Sequence, residues 1–188
     1  MPDPLRHLST FAEDAVSDIR LIVHDYVAAR AGSNGAAIVG RFGGQGVGFG
    51  DRATQFAVAN IVGVVEHYAE QILLDAGCAA GQVTSWNNKP SAWKNKFGAD
   101  IEDADVCPSF TPMRGYYEAR NAIMHRRGEL THSQRKQAVY DRLNAAQVER
   151  IGYDIVVTES TVRACADVCV HCVTELDATT KQQDGISS

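Results

Sequence analysis

Apolar residues along this chain recur at helical spacing through most of its length. Over 5–30, Leu8, Phe11, Ala15, Ile19, Ile22 and Tyr26 fall in steps of three and four, which predicts one amphipathic helix. A second helix is expected to begin near Asp51, a good N-cap residue, and to run through FAVANIVGVVEHYAEQILL to Asp75-Ala76-Gly77. Its centre, Ile61 to Val65, is apolar nearly all round, so it is expected to be the most buried helix. Glu66 follows directly and is expected to lie partly buried.

The stretch 77–90 reads as loop. A short helix after Pro90 carries Trp93 and Phe97, and an irregular stretch then reaches Pro112. A further helix is predicted over 112–127, stopping at Gly128. Residues 133–148 favour helix with a weak pattern, and IGYDIVVT alternates like a strand. Ser160 or Thr161 is expected to cap a last helix with Val162, Cys165, Cys169, Val173 and Leu176 on one face. The expected fold class is therefore mainly α: one helical bundle of about five helices with a small β element near 150–158. A single domain over 1–178 would carry a Gly-rich loop at 32–50 and end in a flexible polar tail at 179–188.

Composition narrows the reading. Apolar residues make up 45% of 188, a normal share for a globular domain. The net charge of -5 argues against coating nucleic acid by bulk electrostatics but leaves room for a local basic patch. No apolar run approaches the roughly 20 residues that span a bilayer, and the first residues lack a signal-peptide layout. The five cysteines, an odd number, suit reduced thiols in the cytoplasm better than a disulfide framework.

The candidate chemistry lies in EARNAIMHRRGEL, residues 118–130. On a helical wheel with about 100° per residue, Arg120, Asn121 and His125 can border one cleft. Glu118 and Tyr117 fall on the same broad side, and Ala119, Ala122 and Ile123 point towards neighbouring helices. From Arg114 to Lys136 six Lys and Arg (Arg114, Arg120, Arg126, Arg127, Arg135, Lys136) face only Glu118 and Glu129. Positive charge is thus concentrated around this helix, with Arg114, Arg126 and Arg127 as candidate RNA-binding residues.

Histidine exchanges protons near neutrality, and arginine presents planar donors to phosphate oxygens. Together they suit attack of an RNA 2′-hydroxyl on its adjacent phosphodiester, a reaction that needs no metal or other cofactor. A step wanting both an acid and a base is served by a two-fold dimer that brings two histidines into one groove. Glu66 is a natural partner for Arg120, orienting it rather than doing chemistry.

These residues resemble the signature of HEPN-domain proteins: an Arg, a polar residue that is often Asn, then a His after a short gap and a Gly soon after. The earlier helix with VVEHYAEQIL, the WKNKFGADIED segment and the late IGYDIVVT resemble ribonuclease-type HEPN proteins of bacterial conflict systems. The likeness covers the layout of most of 51–178 and is specific in residues over 118–128. The Gly-rich segment 32–50 departs from the pattern. The resemblance implies a homodimeric helical bundle and a metal-independent endoribonuclease, with Arg120 and His125 as the catalytic pair and Asn121 as the polar residue. It also implies a toxin or defence effector, with an antitoxin or another defence-system protein as partner. The alternative is a non-catalytic HEPN domain that binds RNA or a protein.

Weaker candidates have simpler readings. The same spacing recurs from Arg127 to His132, but with Gly after its Arg and off the helix end, so it is read as a chance copy. GRFGGQGVGFGD lacks a dinucleotide or P-loop spacing, although Arg41, Phe42 and Phe49 offer charge and stacking. Cys165, Cys169 and Cys172 are read as core residues rather than metal ligands. His24 and His67 are read as surface or core-edge histidines, and Trp86 and Trp93 as packing anchors.

Overall fold

The computed structural model describes residues 8–32 and 52–181. The Gly-rich segment and the end of the expected tail lie outside them. Seven α-helices are present in this part: α1 (Thr10–Gly32), α2 (Arg52–Asp75), α3 (Ala80–Val83), α4 (Lys89–Phe97), α5 (Phe110–Arg126), α6 (Gln137–Ala145) and α7 (Glu159–Lys181). A single 3-10 turn, His132–Gln134, precedes α6. A two-stranded antiparallel sheet, β1 (Glu149–Ile151) and β2 (Asp154–Val156), completes the expected mainly α architecture.

Helix α2 is the axis of the bundle and packs on α1, α5 and α7. Ile61, Val62 and Val65 are fully buried, as the all-round apolar centre demands. On α1 the buried stripe is Ala12, Ala15, Val16, Ile19 and Tyr26, while Phe11 is 50% exposed. Phe11 was expected in that stripe. It lies one residue, about 100°, from Ala12 and so falls outside it. The stretch 77–90 is not all loop, since α3 turns once within it and buries Val83.

Helix α5 begins at Phe110, two residues before Pro112, because proline costs nothing in a first turn whose N–H groups have no intrahelical acceptor. Glu175 of α7 supplies the acceptors there, taking hydrogen bonds from Ser109 N (2.9 Å), Ser109 Oγ (2.9 Å) and the Cys107 thiol (3.2 Å).

The predicted strand is a hairpin. Ile151 pairs with Asp154, and Gly152 takes the left-handed conformation (φ 64°) at the first position of the two-residue loop. Thr158, not Ser160 or Thr161, caps α7. Its Oγ1 accepts Thr161 N at 3.3 Å, and Thr161 Oγ1 accepts Thr158 N at 3.0 Å, a reciprocal cap. The same helix continues to Lys181, so residues 179–181, expected in the flexible tail, are helical. Thr179 is buried and accepts a hydrogen bond from Trp93 Nε1 at 2.8 Å. Cys165, Cys169 and Cys172 are fully buried free thiols in the apolar core.

Two polar or steric constraints hold this packing. Asp177 is 1% exposed and gathers Ser9 N (3.0 Å), Ser9 Oγ, Tyr68 Oη (3.3 Å) and Lys181 Nζ (2.7 Å). It therefore ties the start of α1, the middle of α2 and the end of α7 to one carboxylate. The second constraint is Gly115, where a Cβ would lie 2.2 Å from the Arg142 carbonyl oxygen of α6 and 2.6 Å from the Cβ of Ala146 at its end. Only glycine permits that approach.

Gly115→Ala is accordingly expected to cost about 3 kcal/mol or more, because the clash is with backbone. Gly63→Ala, with nothing within 4 Å of its new Cβ, should be neutral or stabilising by about 0.5–1 kcal/mol through helix propensity. Thermal unfolding of the two variants separates them. A second expectation concerns acid. Burial works to raise the Asp177 pKa, but hydrogen bonds from Lys181 and Ser9 outweigh it and hold the carboxyl below its usual value. A depressed folded-state pKa gives stability that is fully present above the unfolded value of about 3.9 and is lost as pH falls through the folded one. Asp177→Asn should lower the urea midpoint at neutral pH and flatten its fall below about pH 4.

Candidate functional site

Helix α5 divides its faces cleanly. Ala119, Ala122 and Ile123 pack inward, as expected, while Gly115 and Glu118 face α6. Arg120, Asn121, Met124 and His125 are left on the outer side. Arg120 and Asn121 are half-buried, and His125, Arg126 and Arg127 are exposed.

The expected partnership of Glu66 and Arg120 is present. Arg120 Nη2 lies 3.6 Å from Glu66 Oε2, with the side chains 29% and 19% exposed. Arg120 Nη1 also donates to Asn121 Oδ1 at 3.2 Å. Two anchors thus fix the guanidinium while part of it stays open to solvent. That is the state suited to receiving an anion: pre-oriented, charged and not wholly neutralised. Asn121 spends its oxygen on Arg120, so its amide N–H groups remain to meet a ligand.

Beneath Glu66 lies Lys89, a residue the sequence did not single out. Its side chain is fully buried, its Nζ donates to the Val83 carbonyl, and it sits 5.2 Å from the Trp86 ring centroid. Burial pulls the Lys89 ammonium below its ordinary pKa, against the raising influence of Glu66 and Glu70. A lysine followed by a helix-starting proline carries no local signal of such burial. Its depth follows from where α4 meets α2.

Three expected site residues are occupied elsewhere. Arg114, expected on RNA, is 5% exposed and donates to Trp86 O at 2.7 Å and Asn87 Oδ1 at 3.3 Å. It braces the segment before α4 and is not available to phosphate. Glu118 is buried as well, accepting from Gln134 Nε2 at 2.9 Å and Arg142 Nη1 at 3.0 Å, and so faces away from Arg120. Tyr117 is half-buried with its ring edge-on to Trp86 at 6.2 Å. Trp86 and Trp93 are packing anchors, 1% and 0% exposed. His24 and His67 are exposed, at the surface as expected.

His125 makes no hydrogen bond among the described residues, and it stands about 7.5 Å along the axis from Arg120. Just beyond it Arg127 closes α5 in the left-handed conformation (φ 56°), and Gly128 follows with a positive φ of 103°. Arg127 N donates to Ile123 O at 3.2 Å and Gly128 N to Ala122 O at 3.0 Å, closing the last turn. An arginine held left-handed costs about 1 kcal/mol relative to glycine. Neither Arg126 nor Arg127 forms an ion pair among the described residues.

A cleft of about 380 Å³ opens between α3 and α4, lined by Cys78, Gln82, Asn88, Asn95 and Lys96 among others. The exposed His125, Arg126 and Arg127 beside half-buried Arg120 and Asn121 suit an extended polymer more than a small metabolite. Among the described residues no three His, Cys, Asp or Glu side chains converge as metal ligands, and no helix is long and apolar enough to cross a membrane. Comparisons with protein-family models, with curated proteins and with solved structures find no match.

Proposed function

We propose that this chain is a metal-independent endoribonuclease of HEPN type, cleaving RNA by attack of a 2′-hydroxyl on its own phosphodiester. The observation that carries the reading is Arg120, held half-open by Glu66 and Asn121, on the same outer side of α5 as an exposed, unengaged His125. In this reaction Arg120 binds the scissile phosphate and stabilises the charge that grows on its non-bridging oxygens. His125 takes the 2′-hydroxyl proton or delivers one to the leaving 5′-oxygen. Asn121 adds an amide donor, and Arg126 and Arg127 contact flanking phosphates. Glu66 keeps Arg120 in place without touching substrate.

A homodimer supplies the second proton-transfer group, because one chain offers a single histidine on this face. The buried free thiols suit a reducing cytoplasm. A role as a toxin or defence effector, restrained by an antitoxin or another defence-system protein, follows from the same resemblance. The alternative, a HEPN domain that binds RNA or a partner without cutting, is favoured by the lack of any contact between His125 and Arg120 in one chain.

The two readings separate with purified protein and RNA in EDTA. The nuclease reading expects fragments ending in cyclic phosphate. It also expects a loss of at least about 100-fold in His125→Ala, the scale of a removed general acid–base, with the unfolding midpoint unchanged. Binding without cleavage under any ionic condition would leave the non-catalytic reading.

A further inference from the structure

The β-hairpin sits directly on the end of α5. Leu130 N donates to Tyr153 O at 2.8 Å, Ile155 N donates to Gly128 O at 3.0 Å, and Glu129 bridges to Asp154. The segment leaving α5 therefore runs as a third edge along β2. Leu130 lies only five steps along the chain from His125, a reach of at most about 18 Å.

At this junction Tyr153 projects from the hairpin loop, 49% exposed. One face of its ring is covered by Arg135, whose guanidinium carbon lies 4.0 Å from the ring centroid. Arg135 is itself fixed, its Nε donating to Leu130 O at 3.1 Å and its Nη2 to the Glu129 carboxylate. Backbone and carboxylate thus hold the Arg135 guanidinium against one face of a ring that stays half exposed. The neighbouring pair, Arg150 over Tyr140 at 4.2 Å, is different, because Tyr140 is packed against the core.

Around Tyr153 the charge balance favours a polyanion. The Glu129 carboxylate is engaged by Arg135, whereas Arg126, Arg127 and Lys136 make no ion pair among the described residues, against the half-buried Asp154 and the exposed Glu149 of the hairpin. A fixed aromatic face beside unpaired cations is the arrangement that holds an unstacked base with its phosphates.

We propose that Tyr153, backed by Arg135, is a base-stacking site for single-stranded RNA, which leads the strand along Arg126 and Arg127 towards His125. This rests on the reading of the chain as an RNA-acting protein and adds to it a preference for unpaired bases. A duplex keeps its bases stacked on one another and cannot present one to the ring. Glu129 and Leu130 O act as positioning groups through Arg135.

The test is binding, so that it does not depend on cleavage. Fluorescein-labelled 2′-O-methyl oligouridylate keeps bases and phosphates but lacks the free 2′-hydroxyl, and its affinity for the full chain is read by fluorescence anisotropy. Tyr153→Ala and Tyr153→Leu should each weaken binding roughly 5- to 100-fold, the loss of one base–aromatic stack, and Tyr153→Phe should bind like the parent. The Leu variant keeps apolar bulk under Arg135, so its result stands even where the Ala variant folds poorly. The same strand annealed to its complement should bind more weakly and be indifferent to Tyr153→Ala. Parent-like binding by the Leu variant, equal affinity for duplex, or no binding by the parent would overturn the proposal. Cleavage that persists undiminished in His125→Ala, by contrast, would strike the nuclease reading alone.

Discussion

The close approach of α5 to α6 at Gly115 is the constraint from which the candidate site follows. With no Cβ in the way, the Arg142 carbonyl and Ala146 come against the α5 backbone itself. One turn on, Glu118 is clamped in the same interface by Gln134 and Arg142. These contacts leave α5 no freedom to roll about its axis. Ala119, Ala122 and Ile123 must then enter the core, and Arg120, Asn121 and His125 must face outward. The site's geometry is thus a consequence of packing on the opposite side of the helix.

Charge is divided between holding the fold and offering itself to a ligand. Arg114, Lys89, Glu118 and Asp177 are all buried and hydrogen-bonded, the condition under which a charge can leave water. Breaking any one of them would strand its partner, so they constrain where helices meet. Arg120 stands between the two groups: Glu66 anchors it without enclosing it. Arg126 and Arg127 are wholly on the solvent side. The local basicity of this region is therefore smaller at the surface than in the sequence, since Arg114 has been withdrawn into the interior.

Long helices were legible because burial of α2, α5 and α7 leaves a periodic apolar imprint, with ends within a few residues of those expected. The Glu66–Arg120 pair was legible for a related reason: a carboxylate beside an apolar run must find a partner. What was not legible depends on distant neighbours. A helical wheel gives the azimuth of Arg114 and Glu118 but not that Trp86 O or Gln134 waits there. Thr158 was missed as a cap because Ser160 and Thr161 have the same side-chain chemistry and only the backbone decides among them. The hairpin was read as one strand because Gly152-Tyr153 is a sparse turn signal. That misreading also hid Tyr153, whose exposure exists only once the chain reverses.

The central claim is that α5 presents machinery for 2′-hydroxyl attack on RNA. Its most direct test maps a scission site in a single-stranded RNA and then replaces the one ribose on its 5′ side with 2′-deoxyribose. The account expects cleavage at that bond to vanish while cuts elsewhere persist, because the nucleophile is gone and nothing else has changed. Undiminished cleavage at the deoxy position would contradict it, since an activated water would then be the nucleophile.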